Sequence, residues 1–352
     1  MTLDEHWVPQ DPDSKEPNGF YFLGHGTEER EAGTLIYEVR ESIVKGMEMS
    51  HFPTQKRVDV ILQKEKDWGA TPDRTIVCLP GWGETSAIFT GDFLDILMAA
   101  AEKEGSKNPC FVFPNTGGRG TFEYASRQRA SVVPFRAGME DARRLPKELL
   151  ESGDLNGPVS VIGHSMGYMG AWSFAEGILE EQAKNEDSPF FLESVTGLMP
   201  ATDEALGTVS PRFLKAVAKH VLPAMGCKWT GKSLSVTPEE YNALMYGDSK
   251  SPDRENFKRS VPDSGRVFLE WAALNFARRP LPKESTGVRT NILWAGQECL
   301  LPGKMGRNEF DFVRLSGADG TYNELKNFSH AIPYKMSDAQ KQELLAHWTV
   351  LI

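Results

Sequence analysis

Val159-Ser160-Val161-Ile162-Gly163-His164-Ser165-Met166-Gly167, running into Tyr168 to Ala183, is the stretch around which the chain is organised. The first four residues have the apolar character of a buried strand, and the run after Gly167 suits a helix. Strand, G-x-S-x-G, helix is a nucleophile elbow: the serine sits on a sharp turn that pushes its hydroxyl into the open. Side chains at Gly163 and Gly167 would collide as the chain reverses, and glycine tolerates the strained backbone. Ser165 then lies at the positive end of the following helix, where charge developing on a nearby oxygen is favoured.

Working outward, the elbow strand has neighbours of the same kind. Thr75-Ile76-Val77-Cys78-Leu79 and Cys110-Phe111-Val112-Phe113 are short apolar runs, the mark of strands buried on both faces. An amphipathic stretch through Phe93, Leu94, Ile96, Leu97 and Ala101 lies between them, and Phe135 to Leu150 reads as another helix. Leu192 to Met199 and Thr290 to Trp294 are further strands. Alternating strands and helices predict an α/β fold with a doubly wound, mostly parallel sheet. Thr34 to Val39 and Arg57 to Leu62 read as two antiparallel strands at its edge. Residues 1–33 are polar and rich in Asp, Glu, Pro and Gly, and are expected to form an N-terminal arm; no strand is expected before Gly24-His25-Gly26.

From about Pro200 to Gly287 the alternation breaks into helices. Ser210-Pro211 and Thr237-Pro238 place a cap residue before proline at the first helical position. Thr237 with Glu240 makes a capping box, as does Ser337 with Gln340 near the end of the chain. The region is dense in apolar and aromatic residues, among them Trp229, Tyr241, Tyr246, Phe257 and Trp271. It is expected to be an inserted helical cap over residues 201–287, between core segments 34–200 and 288–352. Most of its aromatics are expected to build the core of the cap, and a few to face an apolar substrate pocket.

A serine hydroxyl needs a base to take its proton and an acid to orient that base. Of seven histidines, His6, His25 and His51 precede the sheet core, His220 is in the cap and His347 is inside the last helix. His164 is set aside as a base because it points away from the neighbouring serine. His330, in a loop after the last expected strand and before the final helix, is the candidate base. Glu298 follows the Ile292-Leu293-Trp294 strand and is the candidate acid, giving the chain order Ser, acid, His. Asp203, or its neighbour Glu204, after the strand ending near Met199, is the alternative acid. Backbone N–H groups of Trp82 and Met166 are the candidate oxyanion donors. Gly81, Gly83, His164, Trp229 and Tyr246 are candidate pocket residues.

These residues carry a resemblance. The chain from Arg57 onward resembles the α/β-hydrolase superfamily of esterases, lipases, lactonases and thioesterases. Leu79-Pro80-Gly81-Trp82-Gly83 is similar to the superfamily's His-Gly-x oxyanion turn, with Pro80 in place of the histidine. Gly118-Arg119-Gly120-Thr121 is similar to its Arg-Gly-x-Gly-x-Ser loop, Gly163 to Gly167 is its elbow, and the insertion sits where it carries a lid. Members commonly have Asp three residues after the glycine matching Gly296; Cys299 holds that position here, and placing Glu298 as the acid needs a loop one residue shorter. The resemblance implies a carboxylesterase- or lipase-like serine hydrolase acting through an acyl-enzyme on an apolar ester, lactone or thioester.

Composition sets further bounds. The 352 residues carry Lys+Arg 39 against Asp+Glu 49, a formal charge of −10, which disfavours a nucleic-acid partner. No apolar run approaches the roughly 18 residues of a membrane span. The polar start lacks signal-peptide character, and four scattered cysteines form no C-x-x-C pair. A cytoplasmic protein without metal or cofactor is expected, its oligomeric state left open. Two competing readings remain. Gly81-Trp82-Gly83-Glu84-Thr85-Ser86 approximates a dinucleotide fingerprint, although the next strand ends in Pro114-Asn115 rather than an acid. The same fold also serves as ligand receptor, lyase or other specialised enzyme.

Overall fold

The computed structural model describes residues 3, 23–31, 33–44, 55–64, 70–115, 135–185, 187–202, 236–247, 254–260, 287–301 and 303–352. In chain order these form β1 (Gly24–Arg30), β2 (Gly33–Val44), β3 (Gln55–Lys64), β4 (Arg74–Leu79), a 3-10 turn at Ser86–Phe89, α1 (Asp92–Lys103), β5 (Pro109–Asn115), α2 (Phe135–Ser152), β6 (Gly157–His164), α3 (Gly167–Lys184) and β7 (Phe190–Leu198). Then come α4 (Pro238–Met245), α5 (Arg254–Phe257), β8 (Arg289–Ala295), α6 (Met305–Leu315), β9 (Asp319–Leu325), α7 (Asp338–Ala346) and α8 (Trp348–Leu351).

The strands make one sheet in the order β1-β2-β3-β5-β4-β6-β7-β8-β9. From β5 to β9 the pairing is parallel, and β1, β2 and β3 add to the β5 edge antiparallel. Helices cover both faces, which is why β4 and β5 are buried along their whole length. One face packs Phe93, Leu94 and Leu97 of α1, Leu344 of α7 and Leu351 of α8. The other packs Leu145 and Leu149 of α2, Phe174 and Ile178 of α3, and Phe310 of α6. The doubly wound, mostly parallel sheet is the one expected from the alternation of runs.

The N-terminal edge differs from the expectation in one respect. Residues Gly24 to Arg30, assigned from the sequence to the N-terminal arm, form a strand, because β1 pairs with β2 along that length. Its sequence, GHGTEER, has no apolar residue and no hydrophobic period, so only backbone pairing marks it. Arg30 secures its end by donating to the Thr90 and Gly91 carbonyls and pairing with Asp95. One strand further in, Arg57 is wholly buried and pairs with Asp59, Asp141 and Glu148, joining β3 to α2. Among the described residues no helix is long and apolar enough to cross a membrane.

The sheet positions the site through its order. β4 has β5 on one side and β6 on the other, so chain connections diverge there in opposite directions. In open α/β sheets the crevice beyond the carboxyl ends of such strands is where ligands bind. The turn after β4, the elbow after β6, the loop after β8 and the loop after β9 all emerge at that end.

Candidate active site

The elbow has the strained geometry that its glycines predict. Ser165 has φ of 51°, the left-handed region that side chains rarely occupy. It is held there by its neighbours: its N–H donates to the Leu198 carbonyl at 2.9 Å, and its own carbonyl accepts from Tyr168 and Ala201 at 3.2 and 3.1 Å. A Cβ at Gly163 would run into the backbone of Gly167 and Tyr168, and one at Gly167 into the Leu79 and Pro80 carbonyls. α3 starts immediately after, with Met166 at its N-cap. Ser165 is 8% exposed.

His330 and Glu298 meet the serine from two other strand ends. His330 Nε2 lies 2.9 Å from Ser165 Oγ, and His330 Nδ1 lies 2.9 Å from Glu298 Oε2. The hydroxyl donates to Nε2 and the ring N–H donates to the carboxylate. The other Glu298 oxygen accepts the N–H groups of Leu300 and Leu301 at 2.8 and 3.0 Å, so the carboxylate closes its own loop. Burial alone would push the Glu298 carboxyl up; the His330 charge, its hydrogen bond and the Leu301 and Leu300 N–H groups hold it below the usual carboxylate range.

The loop ends are laced together. Gln297 N–H donates to the Phe328 carbonyl and Gly296 N–H to Leu325, fixing the acid loop on the base loop at 2.9 and 2.7 Å. His330 N–H donates to the Met245 carbonyl at the end of α4, at 3.2 Å. Asn256, next along in α5, donates to the Ile332 carbonyl and Tyr246 Oη at 2.7 and 2.8 Å and accepts from Tyr334 N–H. Thr85 Oγ1 donates to the Arg259 carbonyl at 3.0 Å. Residues of α4, of α5 and just beyond α5 therefore touch both the loop after β9 and the turn after β4. Both capping boxes, at Thr237 and Ser337, are present.

The turn after β4 is filled from within. Glu84 is 1% exposed, and its Oε2 accepts Gly81 N–H at 2.9 Å and lies 2.6 Å from His164 Nδ1. His164 Nε2 lies 2.7 Å from the His330 carbonyl. A Cβ at Gly81 would meet that Glu84 oxygen at 2.8 Å and the Ser165 Cβ at 3.0 Å, so only glycine lets the turn lie against the serine. A carboxylate thus occupies the turn, a poor cradle for phosphate, and the Asn115 side chain at the end of β5 is spent on Ser86. The dinucleotide reading loses its footing on both counts.

The expected site residues fall into three groups. Ser165, His330 and Glu298 come together in one hydrogen-bonded chain. Gly81 lies against the serine and Met166 follows it in the chain, Trp82 and Gly83 are half-buried in the turn after β4, and Tyr246 caps α4. Asp203 and Trp229 lie outside the described residues, as do the Gly118 to Thr121 loop and most of the insertion. His164 needs correction as a pocket residue: it is wholly buried, and both ring nitrogens are spent on Glu84 and the His330 backbone. Glu84 was not singled out at all. A carboxylate in a glycine-rich turn reads as surface, and its partner lies 80 positions away.

No family model matches the sequence, and no curated protein matches it. Solved structures do match in fold. A bromoperoxidase from Bacillus anthracis aligns with a TM-score of 0.54 at 12% identity, over 89% of this chain and 99% of that one. A soluble variant of monoglyceride lipase from Saccharomyces cerevisiae, in complex with a substrate analogue, aligns at 0.54 and 13% identity over 90% and 99%. The peroxisomal alpha-beta-hydrolase Lpx1 of the same yeast aligns at 0.52 and 14% identity over 88% and 87%. The chain has the α/β-hydrolase fold.

Proposed function

We propose that the chain is a serine hydrolase that cleaves a carboxylic ester, lactone or thioester of a rather apolar small molecule. One observation carries this reading: the unbroken run of 2.9 Å contacts from Ser165 Oγ through the His330 ring to Glu298. A hydroxyl, an imidazole and a carboxylate in that order form a nucleophile, its base and the group that orients the base. Ser165 Oγ attacks the substrate carbonyl carbon while its proton passes to His330 Nε2. The carbonyl π pair becomes an oxyanion, for which the backbone N–H groups of Trp82 and Met166 are the proposed donors. The intermediate collapses, the C–O or C–S bond to the leaving group breaks, and His330 returns the proton to that group. Water, deprotonated by the same ring, then attacks the acyl-enzyme, and Ser165 leaves with the proton.

The apolar and aromatic insertion supports an acyl or aromatic substrate, with Tyr246 and Trp229 as pocket residues. Residues 201–287 are proposed as the cap, and residues 34–200 and 288–352 as the core. A cytoplasmic location remains part of the proposal. The test is labelling of Ser165 by a fluorophosphonate, together with turnover of p-nitrophenyl esters of increasing chain length beside lactones and acyl-CoAs. Labelling with turnover that rises with acyl length is expected. Labelling without turnover on any of them points to a receptor, a lyase or another specialised role on the same fold, and absence of labelling overturns the nucleophile.

A further inference from the structure

Beneath the serine lies a second Glu–His pair that the steps above leave unused. Its hydrogen-bond arithmetic is restrictive. The His330 carbonyl can only accept, so His164 Nε2, 2.7 Å away, carries a proton. A neutral His164 would then present a lone pair from Nδ1 to Glu84 Oε2 at 2.6 Å. That oxygen already accepts Gly81 N–H. Either the ring or the acid must therefore supply one more proton. Among the described residues, the remaining contacts of the pair favour its sitting on the ring. An N–H donor faces the carboxylate, a carbonyl faces the imidazole, and the Glu298 carboxylate is close enough to act on His164.

We propose that Glu84 and His164 form a standing ion pair whose imidazolium donates to the Glu84 carboxylate on one side and the His330 carbonyl on the other, making both of them positioning residues for the serine, its base and the turn that faces them. The positioning role rests on the hydrolase reading; the charge state does not. The connectivity is direct. His164 is the residue before Ser165, its Nε2–H holds the backbone of His330, and its partner carboxylate holds Gly81 N–H against the serine Cβ. Three loops from three strand ends are thereby referred to one buried ring.

The titratable groups facing His164 are Glu84 from the β4 turn, Glu298 from the β8 loop and His330 from the β9 loop. Burial alone would lower the His164 pKa; the Glu84 charge and hydrogen bond, the His330 carbonyl and the Glu298 charge carry it above the usual histidine value. Burial likewise pushes Glu84 up, and the His164 charge and hydrogen bond, His330 and Gly81 N–H bring it below the usual carboxylate range. With His164 charged, the four groups have one negative charge in excess at rest. They become neutral when His330 takes the serine proton, so the step that needs an imidazolium at 330 is the step that balances the cluster.

The test uses the full chain with 15N-labelled histidine. Imidazole spectra, assigned with His164→Gln and His330→Ala, should give His164 two protonated ring nitrogens that keep their charge to higher pH than an ordinary histidine does. Glu84→Gln removes the acceptor's charge. It should leave His164 with one protonated nitrogen and lower kcat about 10- to 100-fold with KM within roughly threefold, as loss of positioning without loss of binding does. A single protonated nitrogen on His164 in the native chain overturns the pair, and so does a folded Glu84→Gln variant with unchanged kcat. If that variant does not fold, the spectrum of the native chain decides. An imidazolium signal in a chain that neither turns over esters nor takes a fluorophosphonate upholds the charged pair and overturns the hydrolase reading beneath its positioning role.

Discussion

Two Glu–His pairs stand side by side here, with ring centroids 5.4 Å apart. Each histidine has a carboxylate on Nδ1, at 2.9 Å for His330 and 2.6 Å for His164. They differ in what faces Nε2. For His330 it is a serine hydroxyl, which can give a proton; for His164 it is a backbone carbonyl, which can only receive one. The first ring can rest neutral and act as a base. The second has no use for a lone pair and serves as a fixed cation. The role of a buried Glu–His pair is thus written by the third group, a lesson that applies wherever a histidine is assigned a part in catalysis.

The largest effect should come from cutting the first chain at its reacting end. Ser165→Ala leaves the packing of the elbow intact and should lower kcat on any ester substrate by about 10^6-fold, the loss seen when a triad acts as a unit. Unchanged turnover would place the nucleophile elsewhere and make both pairs structural. Cutting the chain at its acid comes next. Glu298→Gln keeps the shape but presents an amide to His330 Nδ1, favouring the wrong tautomer, and should cost about 10^4 in kcat with the fold retained. Asp203→Asn should stay close to the native rate. If Asp203→Asn is the inactive variant instead, the acid comes from the β7 end and the Glu298 contact is a by-product of packing.

Much of this was legible along the chain. β4, β5 and β6 announce themselves because burial on both faces removes any need for polar alternation. Ser165 and His330 are marked by the glycines of a turn and by a loop between a strand and a capped helix. β1 was not legible, since an edge strand of polar residues held by backbone pairing leaves no hydrophobic period. Glu84 was not legible for a different reason. Sequence can mark a carboxylate but not its burial, and here burial depends on a histidine that folding brings from 80 positions away.

The second pair should show in stability more than the first. Glu84 has a folded pKa below its unfolded value, so its contribution is present above the unfolded carboxylate pKa and is lost as pH falls through the lower folded one. His164 has a folded pKa above its unfolded value, so its contribution is complete below the unfolded histidine pKa and is lost as pH rises through the raised one. The pair therefore stabilises most between roughly pH 5 and 6.5. Removing one member of such a buried pair costs about 3 kcal/mol. Urea unfolding of Glu84→Gln against the native chain should show that gap in the window and a narrowing gap towards more acid pH, where the native chain's Glu84 is protonated both folded and unfolded. A gap that does not change with pH would mean that the carboxyl carries no charge in the native chain, and the contrast between the two pairs would fail.

The smallest effect should come from Cys299, the residue that follows the candidate acid. Cys299 is half-buried, and its Sγ–H donates to the Leu244 carbonyl at 3.4 Å, tying the acid loop to α4. The neighbouring carboxylate already fixes the loop through the Leu300 and Leu301 N–H groups, so the thiol adds a weak bond to a turn that is closed without it. Serine keeps a donor in the same place and loses only the larger, softer sulfur. Cys299→Ser should therefore keep kcat within about twofold of the native value, and its unfolding free energy should change by no more than about 0.5 kcal/mol. A loss of kcat approaching that of Glu298→Gln would show that the side chain at 299 sets the reach of the acid, and that the loop depends on sulfur packing rather than on the carboxylate's own bonds to Leu300 and Leu301.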